Sequence, residues 1–336
     1  MQGVLKRWAV AATMALAGAT SAAADPMLAD FPYPFPVQTF ALHSQRQDLS
    51  MAYMDVAPER PNGRTVVLMH GKNFCGATWE GVMRPLLAAG YRVVVPDQIG
   101  FCKSSKPQAY QFGFHQLASN TKALLDKIGV ERPVILGHSM GGMLAARYVL
   151  SYPQAVSGLI MVNPLGLEDW RAEGVPGVTI DQMYAGELRT SAETLKRYQL
   201  NTYYAGQWKP EYDRWITMQA SMYQGPGREL VAWNQALTSD MIFNQPVVHE
   251  FGLIKAPTVL ILGERDNTAS GKDRAPPEVA ARLGKYAELG PKTVARIPGS
   301  KLVNFPDLGH SPQVQAPERF NSALIEALAW IGSSPR

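Results

Sequence analysis

The sequence is poor in the residues that build metal and phosphate sites. It has 336 residues with two cysteines and six histidines, and no His-x-His or His-Glu-x-x-His spacing among them. A metal site therefore has no ligand pattern to rest on. No glycine-rich dinucleotide or phosphate loop occurs either, so no cofactor is implied. Charged residues make up 18% of the chain, without a lysine or arginine run to track a phosphate backbone, which argues against a nucleic-acid partner. Long apolar runs are missing with one exception. Lys6-Arg7 is followed by an alanine-rich stretch from Trp8 to Ala22-Ala23-Ala24. At about 15 residues its apolar core is short of the roughly 20 that span a bilayer.

Charge, length and small terminal residues make this stretch read as a secretory signal peptide, residues 1–24. Its removal takes away Lys6 and Arg7 and no acid, so the formal charge falls from +4 to +2. The expectation is an exported chain, periplasmic or secreted, with no stable membrane insertion after processing. Cys75 and Cys102 would then lie where disulfides persist. Oligomeric state is left open.

What is there is an ordinary globular composition, 46% apolar, with a regular alternation of elements. Residues 25–36 hold Pro26, Pro32, Pro34 and Pro36 and read as an extended N-terminal arm. Strand patterns follow at 37–43, 49–56, 65–69, 91–96, 134–136, 157–162, 258–263 and 301–305. Helical spacing appears at 79–89, 117–128, 143–150 and 317–331. Such alternation predicts an α/β fold with a mostly parallel sheet of eight strands, helices on both faces, and a core formed by residues 37–164 and 252–336. Between them, residues 165–251 read as helices only, and form an inserted helical cap. Thr190-Ser191-Ala192-Glu193 gives it a capping-box signature, and Tyr212, Trp215, Met218 and Met222 recur at helical spacing. Four of the seven tryptophans lie there, which suits an insert held together by aromatics with a minority, among them Tyr203, Trp208 and Trp215, facing a substrate.

The chemistry centres on Gly137-His138-Ser139-Met140-Gly141, between a buried strand and a helix. This fits a nucleophile elbow, in which serine takes a strained backbone and its neighbours two residues away must lack bulk. Ser139 would stand at a helix N-terminus, where the Met140 N–H can face an oxyanion. The pentapeptide alone is also compatible with a plain glycine turn. Support comes from two other strand ends, since a serine hydroxyl needs a base and a group to orient it. Asp266 follows the strand Thr258 to Gly263, and His310 follows the last strand. Glu264, Glu168 and Asp273 compete with Asp266 for the acid, while Asn163 after the sixth strand cannot supply a charge.

The order Ser139, Asp266, His310 is that of the α/β-hydrolase fold. The chain resembles the cap-bearing members of that superfamily, a group of esterases, haloperoxidase-like perhydrolases, carbon–carbon bond hydrolases, haloalkane dehalogenases and epoxide hydrolases. The residues that carry the likeness are His70-Gly71, Asp97 to Ser104, the elbow, Gly263 to Asp266 and Gly309-His310. The resemblance implies that Asp266 orients His310 and that the Lys72 and Met140 N–H groups form the oxyanion hole. The Lys72 side chain is expected to reach solvent, with attraction of a substrate carboxylate as the alternative. Two features depart from the family pattern: Cys102 replaces a usual glycine, and the stretch 267–300 is long and is expected to rim the pocket. In this fold the loops carrying Cys75 and Cys102 leave neighbouring strands at one edge, so a disulfide between them is expected.

A serine nucleophile points to acyl chemistry, because serine attack at an sp3 carbon would leave an inert ether. The expected function is an exported serine hydrolase acting on a small ester or related carbonyl compound. Carbon–carbon hydrolase, perhydrolase, aminopeptidase and a ligand-binding receptor with little turnover are the alternatives.

Overall fold

The computed structural model describes residues 25–334; the expected signal peptide lies outside the described residues. Alternating apolar stretches fold into β1 (Gln38–Ser44), β2 (Gln47–Val56), β3 (Thr65–Met69), α1 (Glu80–Ala88), β4 (Arg92–Pro96), α2 (Phe114–Lys127), β5 (Val134–His138), α3 (Met140–Ser151) and β6 (Gly158–Val162). Four helices follow without a strand: α4 (Ile180–Glu187), α5 (Ala192–Thr202), α6 (Asp213–Met222) and α7 (Arg228–Asn244). The core resumes with β7 (Thr258–Gly263), α8 (Pro277–Ala280), α9 (Tyr286–Arg296), β8 (Lys301–Phe305), α10 (Pro312–Gln315) and α11 (Pro317–Ser333).

The eight strands form one sheet in the order β1-β2-β4-β3-β5-β6-β7-β8, antiparallel on either side of β2 and parallel from β4 to β8. Side chains alternate across it as the pleat requires. Val67, Met69 and Ile135 pack with α2 and α3 on one face, while Val66, Leu68 and Leu136 pack with α1 and α11 on the other. Both faces are covered, which is why the parallel strands read as continuous apolar runs. The stretch 267–300 is largely ordered into α8 and α9, and α9 lies between β7 and β8 in the chain as a crossover helix should.

Two local expectations are corrected. The capping box at the start of α5 is one residue out of the predicted register: Ser191 Oγ accepts from the Thr194 N–H at 3.2 Å, and Thr194 Oγ1 accepts from the Ser191 N–H at 2.9 Å. Thr194 does the work assigned to Glu193, since a hydroxyl accepts as well as a carboxylate at that distance. The arm 25–36 forms no strand or helix, as four prolines demand, but it turns at Pro26-Met27 and docks rather than simply extending. Leu28 is buried, the Tyr33 hydroxyl donates to Asp97 Oδ2 at 2.6 Å, and Lys103 Nζ donates to the carbonyls of Leu28 and Ala29. Burial first, and the Asp97 charge second, keep the Tyr33 phenol protonated well above its ordinary range, as a donor must be.

Cys75 and Cys102 are joined, with Cα atoms 5.9 Å apart and a sequence separation of 27. Cys102 has φ 48°, a left-handed backbone that glycine takes without strain, which explains why its position suits glycine. Closure of that loop restricts the unfolded chain by about 3 to 4 kcal/mol on the entropy model. Reduction is therefore expected to lower the unfolding free energy by about that much in urea titrations of oxidised and reduced protein. A loss below about 1 kcal/mol would contradict a stabilising role for the crosslink.

Candidate active site

Because β3 to β8 run parallel, the loops after them leave the sheet at one edge, where ligands bind in open α/β sheets. Ser139 follows β5 directly and caps α3 with φ 58° and ψ −124°. Backbone of this kind costs a non-glycine residue on the order of 1 to 3 kcal/mol. It is held by the Ser139 N–H donating to the Val162 carbonyl at 3.1 Å and by the Ser139 carbonyl accepting from the Gly142 and Leu165 N–H groups at 2.9 and 3.1 Å. The turn is so tight that a Cβ at Gly137 would collide with the Gly141 carbonyl, and one at Gly141 with the Met69 carbonyl. A Cβ at Gly71 would stand 2.8 Å from that of Ser139, so the loop after β3 lies directly against the serine.

The structure brings Asp266 and His310 together and leaves the competing acids elsewhere. His310 Nδ1 donates to Asp266 Oδ2 at 2.6 Å, and both side chains are fully buried. A carboxylate only accepts, so Nδ1 carries the proton and Nε2 of the neutral ring keeps its lone pair. That Nε2 is buried and bonded to no protein atom. Glu168 instead accepts from the Gly284 N–H, and Asp273 is exposed. Asn163, set aside in the sequence for want of a charge, is part of the arrangement. It sits just after β6 at φ 36°, accepts from the Gly263 N–H at 2.8 Å and donates to Asp266 Oδ2 at 2.9 Å. Thr268 donates to Asp266 Oδ1 through its N–H at 2.8 Å and its hydroxyl at 2.6 Å. Four donors thus fix the carboxylate. No short-range motif announced Asn163; its position at a strand end on the same sheet edge was the available signal.

The loop after β3 is shaped by His70. Its Nδ1 donates to the Gly71 carbonyl at 2.8 Å and its Nε2 accepts from the Gln98 N–H at 3.0 Å. In a trans peptide the next N–H points opposite to that carbonyl, so the Lys72 N–H is turned away from His70. The expectation that the Lys72 side chain reaches solvent is overturned. Its Nζ pairs with Glu187 Oε1 at the end of α4, 2.6 Å away, with both side chains mostly covered. Glu187 also accepts from the Tyr223 hydroxyl at 2.7 Å. The next residue repeats the pattern: Asn73 Nδ2 donates to the Tyr203 hydroxyl at 2.9 Å, and Gln219 Nε2 donates to Asn73 Oδ1 at 3.0 Å.

The helical insertion also closes over His310. The Thr202 and Tyr203 carbonyls at the end of α5 accept from the His310 and Ser311 N–H groups, each at 3.3 Å. The C-terminal end of α5 therefore faces the His310 loop. The Tyr203 ring lies 4.7 Å from the His310 ring, whereas Trp208 packs on Tyr204 and Tyr212 and Trp215 lies beneath Arg214. Of the three aromatics singled out, Tyr203 alone touches the His310 ring.

His138 packs 4.8 Å from His310 and donates from Nε2 to the His310 carbonyl at 2.8 Å. Burial, then the neighbouring His310, push its pKa well below the ordinary imidazole value; burial also lowers that of His70. Below about pH 6.5 the unfolded chain takes up protons that these folded imidazoles refuse. Stability should therefore be full above that pH and fall beneath it, by up to about 1.4 kcal/mol per pH unit for each ring. Denaturant titrations from pH 7 to 5 should show a shallower decline in His138→Gln than in the wild type. Parallel curves would contradict the assignment.

Known proteins share this fold. The family described as alpha/beta hydrolase fold matches residues 64–317. The chain is 29% identical over 274 residues to a 2-hydroxy-6-oxo-6-phenylhexa-2,4-dienoate hydrolase of Burkholderia cepacia, covering 80% of this chain and 88% of that one. It is similar to a crystal structure described as a probable hydrolytic enzyme from Pseudomonas aeruginosa PAO1, at 59% identity and TM-score 0.90 over 91% of this chain and 98% of that one. An esterase from Thermogutta terrifontis shares the fold at 20% identity and TM-score 0.66, over 88% and 99% of the two chains. The strained serine after β5, the acid after β7 and the histidine after β8 thus sit on a matched family frame, and the chain belongs to the α/β-hydrolase fold family.

Proposed function

We propose that the protein is an exported serine hydrolase that cleaves a small ester through an acyl-enzyme on Ser139. The observation that carries this reading is the Asp266–His310 pair, whose opposite nitrogen, Nε2, is buried and without a hydrogen-bond partner, in a loop that leaves the same sheet edge as Ser139. In the reaction, His310 Nε2 takes the Ser139 hydroxyl proton as Oγ attacks the carbonyl carbon. The Lys72 and Met140 N–H groups face the resulting oxyanion. The imidazolium, supported by Asp266, returns the proton to the leaving alkoxide. Water then gives a proton to Nε2, attacks the acyl carbon, and releases the acid and free serine. The crosslink between Cys75 and Cys102 supports an oxidising compartment and so the export reading.

A second reading has specific support. Relatives at 28–29% identity over about four-fifths of this chain are hydrolases of 2-hydroxy-6-oxo dienoates, whose scissile bond is carbon–carbon. The same serine and histidine can serve that reaction, with a carbanion as the leaving group. A screen against p-nitrophenyl esters of graded length, with a vinylogous diketone acid included, separates the two readings.

On whichever substrate is turned over, Ser139→Ala and His310→Ala should each lower kcat by roughly 10⁴ to 10⁶ while the fold is kept, because the residues act as a unit. Asp266→Asn should cost somewhat less. Retention of more than a tenth of the activity by Ser139→Ala would overturn the assignment.

A further inference from the structure

Tyr203 follows α5 and belongs to the helical insertion, yet its carbonyl, ring and hydroxyl each touch a loop of the core. The carbonyl accepts from the Ser311 N–H at 3.3 Å, and a Cβ at Gly309 would stand 2.6 Å from that carbonyl, so the chain on both sides of His310 is pressed against it. The ring lies 4.7 Å from the His310 ring and meets Phe74 edge-on at 5.5 Å. The hydroxyl accepts from Asn73 Nδ2 at 2.9 Å, one residue beyond Lys72. Tyr203 is buried, and close packing holds its ring in this placement.

The partner of the hydroxyl is itself aimed. Gln199 Nε2 on α5 donates to Gln219 Oε1 on α6 at 3.3 Å, Gln219 Nε2 donates to Asn73 Oδ1 at 3.0 Å, and Asn73 Nδ2 completes the run at Tyr203. Each amide accepts through its oxygen and donates through its nitrogen, so reversing one alone would set donor against donor or acceptor against acceptor. Gln199 and Gln219 are buried, and a buried polar run that is paired in this way specifies one arrangement. Packing of α5 on α6 would not need it, since apolar side chains of the same size fill the space without polar groups to desolvate. The run ends instead on the loop that lies against Ser139 and on the residue that lies against His310.

We propose that Tyr203 is a positioning residue for acyl transfer: it holds the His310 loop through its ring and carbonyl and the Lys72–Asn73 stretch through its hydroxyl, so that base and oxyanion donor stay aligned. The inference rests on the reading of Ser139 as the acyl-accepting nucleophile. Tyr203→Phe keeps the ring and the carbonyl and removes only the hydroxyl. On a p-nitrophenyl ester that the wild type cleaves, it should lower kcat by about five- to tenfold, the scale of one hydrogen bond, and leave KM within about twofold. Asn73→Ala should do the same. In the double variant kcat should fall no further than in the slower single variant, because both changes remove one contact. Tyr212→Phe, which alters an insertion phenol stacked on Tyr204, should leave kcat unchanged. A merely structural role lowers Tm and spares kcat. An unchanged kcat in Tyr203→Phe, a change confined to KM, or losses that multiply in the double variant would therefore overturn the proposal. If Tyr203→Phe does not fold, Gln219→Met, which removes the donor that aims Asn73, takes its place in the cycle with the same expectations. If the wild type cleaves no ester, the esterase reading of Ser139 fails, and the positioning role is judged separately by amide NMR of the full chain. Tyr203→Phe should then shift the Lys72 N–H resonance together with that of Asn73; an unmoved Lys72 resonance overturns the role.

Discussion

The constraint on which the site depends is steric: the chain must reverse between β5 and α3 within one residue, beside a loop that touches it. Ser139 accepts the left-handed backbone because its neighbours give way. Gly137 leaves room for the Gly141 carbonyl, Gly141 for the Met69 carbonyl, and Gly71 for the serine side chain. The cost of the strained serine is met by three backbone hydrogen bonds, two of them made by its carbonyl. Strained non-glycine residues recur in the same layer. Cys102 and Asn163 also have positive φ, and both sit in loops at the C-terminal edge of the sheet.

Around that turn the polar groups are tied in from several elements. Asp266 receives donors from the loops after β6, β7 and β8, so its orientation does not rest on any single loop. The loop after β3 is fixed on one flank by the Cys75–Cys102 crosslink and on the other by Lys72 and Asn73, whose partners lie in the helical insertion. Movement of the insertion would therefore be felt at the Lys72 peptide. This couples the covering helices to the loop that lies against Ser139, whose own carbonyl accepts from the Leu165 N–H at the start of the insertion.

Much of this was legible in the sequence, for physical reasons. Buried parallel strands are short apolar runs, so β3 to β7 and the strand-free insertion could be read directly. The elbow was legible because only glycine fits two residues to either side of Ser139. Asp266 and His310 stood out as an acid and a histidine placed just beyond strands. Contacts across long separations were not legible: Lys72 and Glu187 are 115 residues apart, and nothing local marks either. Asn163 was passed over because a neutral amide was weighed only as a failed acid, not as a donor to one. The β1–β2 hairpin turns on Gln45-Arg46 with φ 50° and 65°, values that favour Asn-Gly, and so carried no turn signal. The capping box slipped by one residue because Thr194 competes with Glu193 for the same role.

The central claim is that a strained serine, opposite an oriented and otherwise uncommitted imidazole, is an activated nucleophile. Labelling with a fluorophosphonate, read by mass spectrometry of the intact protein and its peptides, tests it directly. The account predicts a single adduct on Ser139, formed at least about 10³-fold more slowly in His310→Gln because the base that activates the serine is gone. An unlabelled wild type, an adduct at another residue, or equal rates in the two proteins would contradict it.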